Sequence, residues 1–345
     1  MAIFLITPQA CCVTPTTWTG CILPPIDDSS AACHFQANHS GKQPSSTSTN
    51  QCLSGMMILI KTAHQGRPPM SQRVLTQQEI TRFSEDGVIK VEQAVSSEWV
   101  PQLLAVAEQQ LDNPSKWVND VNSGASEDRL FTDRYLWRSN DVIYRFIRES
   151  GCARLAAQAM NSESARFYFD HLLIKKVKTK APTPWHQDAP YWPFTGKKIA
   201  SIWLALTPVT ISGSSLEFIR GSHRDNVYYL PAVFGGKDNT SGQWASTQKG
   251  APVPDIEAKR DDYDIVGFDL QPGDALIFSA WMLHGAPGNQ SLTQDRVALS
   301  TRWLGDDVLW DPREGVDPTV NPEHVALKPG APVHDNAFFP ELFRA

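Results

Sequence analysis

The sequence predicts a mainly β protein, a sandwich or barrel with helices at its front. Three observations predict it. After Ser164 the chain breaks into short apolar runs rich in β-branched and aromatic residues. Gly- and Pro-bearing turns separate those runs, and no helical period lies between them, which argues against a parallel α/β sheet. Before Ser164 the signals are helical instead, with a capping box and apolar stripes at helical spacing.

The first stretch stands apart from both. Residues 1–69 are rich in Thr, Ser, Pro and Gln, almost free of charge, and end in Gly66-Arg-Pro-Pro69. Such a stretch has too little apolar surface to offset its chain entropy, so a disordered extension is expected, and Met70-Ser-Gln reads as an ordinary beginning. Cys11, Cys12, Cys21, Cys33 and Cys52 lie in it, and only Cys152 follows. They show no Cys-x-x-Cys or Cys/His spacing for zinc, and their number is odd for a disulfide framework.

From Thr76 the elements follow in order. Thr76-Gln-Gln-Glu79 is a capping box, Ile80 and Phe83 supply an apolar stripe, and Gly87 is the expected stop. Val88 to Val91 reads as a short strand. Ser96 or Ser97 is the expected cap of a second helix carrying Val100, Leu103, Leu104 and Leu111, with Pro101 in its first turn. Asn140 or Asp141 opens a third, Gly151 ends it, and residues 153–160 continue helically. Strands are expected at 167–177, 199–206, 216–219, 265–268, 275–278 and 296–303. A long polar insertion between His223 and Asp264 reads as a lid.

Composition bounds the function. A chain of 345 residues, 41% hydrophobic and 20% charged with a net charge of −6, has ample material for a globular core. It has no Lys/Arg-rich run to draw nucleic acid or an anionic membrane, and no apolar stretch of membrane-spanning length. Ala2-Ile-Phe-Leu-Ile6 is too short for a signal core, which leaves the cytoplasm as the expected compartment and a small molecule as the expected partner. The oligomeric state is not legible.

The chemistry-bearing stretch is Thr183-Pro-Trp-His-Gln-Asp-Ala-Pro-Tyr-Trp-Pro-Phe194. In an extended strand His186 and Asp188 project to one face, giving two members of the 2-His-1-carboxylate set that holds non-haem iron. Alone, such a pair is as easily a surface His beside a turn Asp. His284 comes just past the strand 275–278, where a ligand at a barrel mouth would stand. Arg296, Ala298, Ser300 and Arg302 then share one strand face. Two guanidiniums there are costly to bury unless each meets an anion, and a bidentate grip on a carboxylate is the natural use. His171 and Lys175 share parity on another strand, as either cavity or core residues. Trp185, Tyr191, Trp192 and Trp281 crowd the same segments, as pocket wall or packing. His223 reads as a structural hydrogen-bonding residue, and His324 and His334 as exposed.

Taken in order and spacing, His186-Gln-Asp188, Gly273-Asp-Ala-Leu-Ile-Phe278, His284-Gly285 and Arg296 resemble the phytanoyl-CoA dioxygenase family of Fe(II)/2-oxoglutarate oxygenases. The similarity takes in Trp203, Arg220-Gly-Ser-His223 and the tail from Gly305-Asp-Asp307 to Phe339-Pro340, roughly residues 75 to 340. The resemblance implies a double-stranded β-helix (jelly-roll) core with flanking N-terminal helices, in a domain over 70–345. It implies His186, Asp188 and His284 as Fe(II) ligands, Arg296 as the partner of the distal carboxylate of 2-oxoglutarate, and Trp203 as a wall of that pocket. With O2 as oxidant, the expected reaction hydroxylates a small organic substrate and releases succinate and CO2. Lys175, Trp192 and Arg302 are the candidate substrate contacts. Many relatives carry Ser two places after the second His; here that place is Ala286. The alternative is a non-catalytic jelly-roll metal-binding or sensor protein.

Overall fold

A strand whose apolar residues recur at every second position needs a cover on that face, and the front of the chain supplies it with helices. The computed structural model describes residues 73–231 and 250–345. The extension expected over 1–69 and the central part of the expected lid lie outside the described residues. Helix α1 (Gln77–Asp86) is bracketed as its sequence demands. The Glu79 N–H donates to the Thr76 hydroxyl, the Thr76 N–H donates to the Glu79 carboxylate, and Gly87 at φ +81° closes the other end. Strand β1 (Val88–Val91) follows. Helix α2 (Trp99–Asp112) begins later than either serine predicted, behind Glu98, which offers no side-chain cap. Ser96 serves instead through its backbone carbonyl, which accepts the Trp99 N–H at 3.0 Å.

The stretch between the second and third expected helices, to which the sequence assigned no element, contains a hairpin, β2 (Asn119–Val121) and β3 (Leu130–Arg134). The period of two in Leu130-Phe-Thr-Asp-Arg134 accounts for it: Phe131 and Asp133 are fully buried while their neighbours face the other way. Helix α3 (Asp141–Glu149) is capped by Asn140, whose side chain accepts from the Val142 and Ile143 N–H groups. Helix α4 (Cys152–Ala159) starts directly after Gly151.

The rest is sheet. In chain order come β4 (Ser164–Lys175), β5 (Thr183–His186), β6 (Phe194–Thr195), β7 (Ile199–Ala205) and β8 (Glu217–Ile219). They are followed by β9 (Ile265–Gly267), β10 (Ala275–Ser279), β11 (His284–Ala286), β12 (Arg296–Leu304), β13 (Leu309–Trp310) and β14 (Glu341–Arg344). The larger sheet runs β1-β10-β7-β12-β4-β3-β2, with β14 also on β4; a smaller one runs β5-β11-β8-β9, and β6 pairs with β13. Every pairing between these strands is antiparallel, and the arrangement is the mainly β jelly roll that was predicted.

Strand β12 shows how the layers are divided. Val297, Leu299 and Trp303 turn into the core formed with Leu103 of α2, Phe146 of α3 and Leu155 of α4. Arg296, Ala298, Ser300 and Arg302 face the other way, as parity predicts. Its neighbour β4 carries a bulge. Thr301 lies opposite Asp170 but Trp303 opposite Phe167, so β4 holds one extra residue there. The bulge switches the parity of β4, so that Phe167 packs in the helical core while Phe169, His171 and Leu173 reach a cavity lined by both sheets.

Candidate metal and co-substrate site

The smaller sheet assembles the imidazoles. His186 ends β5 and His284 opens β11, and the two are direct cross-strand partners with ring centroids 4.2 Å apart. Asp188 joins them by a different route from the strand parity expected. The strand stops at His186, and Asp188 takes a helical conformation at the head of a short turn, Ala189–Tyr191, with proline in its first positions. That turn swings the carboxylate back, with Asp188 Oδ1 3.6 Å from His186 Nε2. One ligand atom from each of the three residues lies within 4.8 Å of the others, and all three side chains are buried.

The donor set fits a metal ion. His186 Nδ1–H donates to the Pro184 carbonyl at 2.8 Å, and His284 Nδ1–H donates to the Met282 carbonyl at 3.1 Å. A carbonyl only accepts, so each ring keeps its proton on Nδ1 and leaves the Nε2 lone pair for a metal. Burial, with His186 adding to it, pushes His284 down to about 3, which keeps it neutral. Burial alone would raise the Asp188 carboxyl. Arg302, His186 and His284 outweigh it and hold the group well below the usual carboxylate range. The second Asp188 oxygen accepts from Ser201 Oγ at 2.8 Å and lies 3.4 Å from Arg302 Nε, so one oxygen stays available. Three ligands on one side leave positions open, unlike a closed structural site.

The larger sheet supplies the cations. Arg296 is 4% exposed, its guanidinium lies 5.5 Å from the ring centre of Trp203, and its Nε has no partner. No carboxylate among the described residues pairs with it, and burial pulls it down to about 10. Both Arg296 and Trp203 line the cavity that contains the three metal-ligand candidates. Lys175 is the cross-strand partner of Arg296 and is fully buried. Its Nζ donates to the Pro287 carbonyl at 2.7 Å, and burial, with Arg296 beside it, holds it well below the ordinary lysine range. It stands behind the cavity wall at the Arg296 end rather than among the residues lining the cavity.

The other candidates separate cleanly. Trp192, Tyr191, His171 and Arg302 line the cavity. Trp185 turns away to Glu257 through an indole hydrogen bond of 2.6 Å, and Trp281 donates to the Gly196 carbonyl at 2.9 Å. His223 makes a 3.2 Å hydrogen bond with the Ser84 carbonyl, and His324 and His334 are exposed. Ala286 is buried in β11 and offers no hydroxyl. Sequence reasoning missed Ser201, which holds Asp188, and the Arg134–Asp317 pair at 3.0 Å in the cavity wall. The alternation in 130–134 was the available signal for Arg134. Nothing local marks Ser201.

The family model described as phytanoyl-CoA dioxygenase (PhyH) matches residues 83–298. The chain belongs to the phytanoyl-CoA dioxygenase family. That match contains every residue of the site from Lys175 to Arg296 and stops just short of Arg302. Among curated relatives, a methylphosphonate hydroxylase of Gimesia maris is 24% identical over 239 residues, 66% of this chain and 80% of that protein. Among solved structures, the epimerase SnoN of nogalamycin biosynthesis, in complex with Fe3+, alpha ketoglutarate and nogalamycin RO, is 24% identical with a TM-score of 0.58. The match covers 77% of this chain and 98% of that one. EctD from S. alaskensis, with 2-oxoglutarate and 5-hydroxyectoine, is 17% identical with a TM-score of 0.57, over 77% and 90% of the two chains. At such identities the structural likeness is one of fold. The proteins that this chain is similar to thus include a hydroxylase and an epimerase by name, and the family name does not bring phytanoyl-CoA with it. Among the described residues no helix is long and apolar enough to cross a membrane.

Proposed function

We propose that this member of the phytanoyl-CoA dioxygenase family is an Fe(II)- and 2-oxoglutarate-dependent dioxygenase that hydroxylates a small organic substrate. The observation that carries the reading is the juxtaposition of two imidazoles, one carboxylate and a buried, acid-free guanidinium around one cavity. His186, Asp188 and His284 would hold the iron, and Arg296 with Trp203 would hold the distal end of 2-oxoglutarate, with the buried Lys175 packed behind Arg296. Iron, 2-oxoglutarate and O2 supply the oxidant, with succinate and CO2 as co-products. The chain's own residues orient and exclude. Backbone carbonyls fix both imidazole tautomers, Ser201 and Arg302 fix the second oxygen of Asp188, and the aromatic wall keeps water from the reacting carbon. We place the catalytic domain at 70–345 and treat 1–69 as an extension to it.

Anaerobic titration with Fe(II) and 2-oxoglutarate tests the reading. A visible charge-transfer band that is lost in His186→Ala and Asp188→Ala supports it. Metal binding that is indifferent to 2-oxoglutarate supports the non-catalytic alternative instead. Desaturation or ring closure would use the same residues, and product mass separates them from hydroxylation.

A further inference from the structure

The charges lining the cavity do not balance once the site is loaded as proposed above, and this inference rests on that reading. The full charges there are Arg134, Arg296 and Arg302 against Asp188 and Asp317. Arg134 is answered by Asp317 at 3.0 Å. Arg296 would be answered by the distal carboxylate of 2-oxoglutarate. A divalent metal would be answered by Asp188 and the other carboxylate of the co-substrate. Arg302 is left with only a share of Asp188, an oxygen 3.4 Å from its Nε. It is 6% exposed, on the face of β12 that looks into the cavity. A cation so placed is costly unless an anion arrives.

Its surroundings are built to receive one. The guanidinium carbon lies 5.5 Å from the ring centre of Phe169 and 5.6 Å from that of Trp192, rings that meet edge to face on one side of it, while its Nη1 donates to Ser300 Oγ. Arg302 Nε and His171 Nε2 are both buried polar atoms without a hydrogen-bond partner, and both residues line the cavity. His171 lies opposite Ser300, one strand over from Arg302. Burial, reinforced by Arg302 and Arg134, keeps it neutral, so in its Nε2–H tautomer it can donate to an anion.

We propose that the substrate carries a small anionic group, a carboxylate or a phosphonate, that docks on Arg302 and His171 beside the rings of Phe169 and Trp192. Because Arg302 also touches Asp188, the carbons nearest that anionic group are the ones presented to the metal side of the cavity. Selection for acids over their neutral isosteres is then a property of this chain.

The test uses the full-length protein loaded anaerobically with Fe(II) and saturating 2-oxoglutarate. Matched probes are phenylacetate against phenylacetamide and hexanoate against hexanamide, with phenylphosphonate as the phosphonate arm. Calorimetry reads binding, and succinate formation on admitting air reads turnover. A charge-assisted pairing predicts a preference of about 10- to 100-fold for acids over amides. Carboxylate and phosphonate arms are ranked against each other to name the source of the anion. Arg302→Gln should bring acid and amide within about twofold of each other, and Arg302→Lys should restore part of the preference. A residue that merely positioned Asp188 would change metal affinity without changing that ratio. Amides that bind like acids, probes that bind in neither form, or an Arg302→Gln protein that keeps the preference overturn the proposal. Should Arg302→Gln fail to fold, the wild-type ratio decides. Calorimetry reports that ratio whether or not the charge-transfer band forms, so a missing band counts against the iron reading alone.

Discussion

Replacing Arg296 by Met should make the unliganded protein more stable and less able to bind its co-substrate. A buried cation without an acid is a burden in the empty site: its depression to about 10 corresponds to roughly 3 kcal/mol of lost charge stabilisation. The contact with the Trp203 face returns about 1–2 kcal/mol of that. The net gain for Arg296→Met is therefore about 1–2 kcal/mol, or about 2–8 °C in melting temperature for a domain of this size class. Binding moves the opposite way. Removing one partner of a buried, hydrogen-bonded charge pair costs about 2–5 kcal/mol, a loss of at least about 30-fold in affinity for 2-oxoglutarate. In a thermal-shift assay with Zn(II) or anaerobic Fe(II), wild type at 100 times its dissociation constant gains about 2.7 kcal/mol from 2-oxoglutarate. The variant should gain less than about 1 kcal/mol at the same concentration. An Arg296→Met protein that melts lower than wild type and still binds 2-oxoglutarate with unaltered affinity would refute the reasoning.

Three further outcomes follow from the same geometry. Ser201→Ala removes the 2.8 Å hydrogen bond to Asp188 and should weaken Fe(II) binding about 10- to 100-fold while leaving the fold intact, as read by anaerobic metal titration and circular dichroism. Lys175→Met should flatten the pH dependence of stability on the alkaline side. The unfolded chain holds that proton up to about 10.5 and the folded one does not, so the unfolded state binds more protons and wild-type stability rises with pH through that window. The Pro287 carbonyl keeps a donor in Ser214 Oγ, so a collapse of the Lys175→Met fold would argue against this account. Cys152 is buried, and burial raises its thiol to about 11, so site-resolved mass spectrometry should find it unalkylated at neutral pH until the chain is unfolded.

What the sequence disclosed and what it withheld divide along a physical line. Features decided within a few residues were readable: the Thr76/Glu79 box, the Asn140 cap, the alternation of β12 that sends Arg296 and Arg302 to one face. Features decided by distant pairing were not. The hairpin β2–β3 offers only the five-residue alternation of 130–134 as a local signal and is held by register, Leu130 opposite Lys175 and Thr132 opposite Leu173. Two helical stripes flank it, and no element was assigned between them. Asp188 belongs to both kinds. Its place two after His186 is local, but its direction comes from a turn beyond the strand end. Ser201 had no signal, because a serine in an apolar strand looks like any small core residue until its cross-sheet partner is known.

The same reasoning says why the site should be cooperative with the fold. Both imidazoles come from the smaller sheet, where His284 is registered on His186. The groups that hold the carboxylate come from the larger one, where Ser201 and Arg302 are direct partners on β7 and β12. A slip of one residue in either ladder would turn its contribution to the opposite face, so the triad exists only when both registers are correct at once. Asp188 thus ties the two sheets together, by His186 on one side and by Ser201 and Arg302 on the other. A metal bound there would pin the two sheets at their open end, and its binding energy would add to the energy of the fold. Wild type should then lose several degrees of melting temperature on exhaustive chelation, whereas Asp188→Ala should melt at one temperature with and without metal.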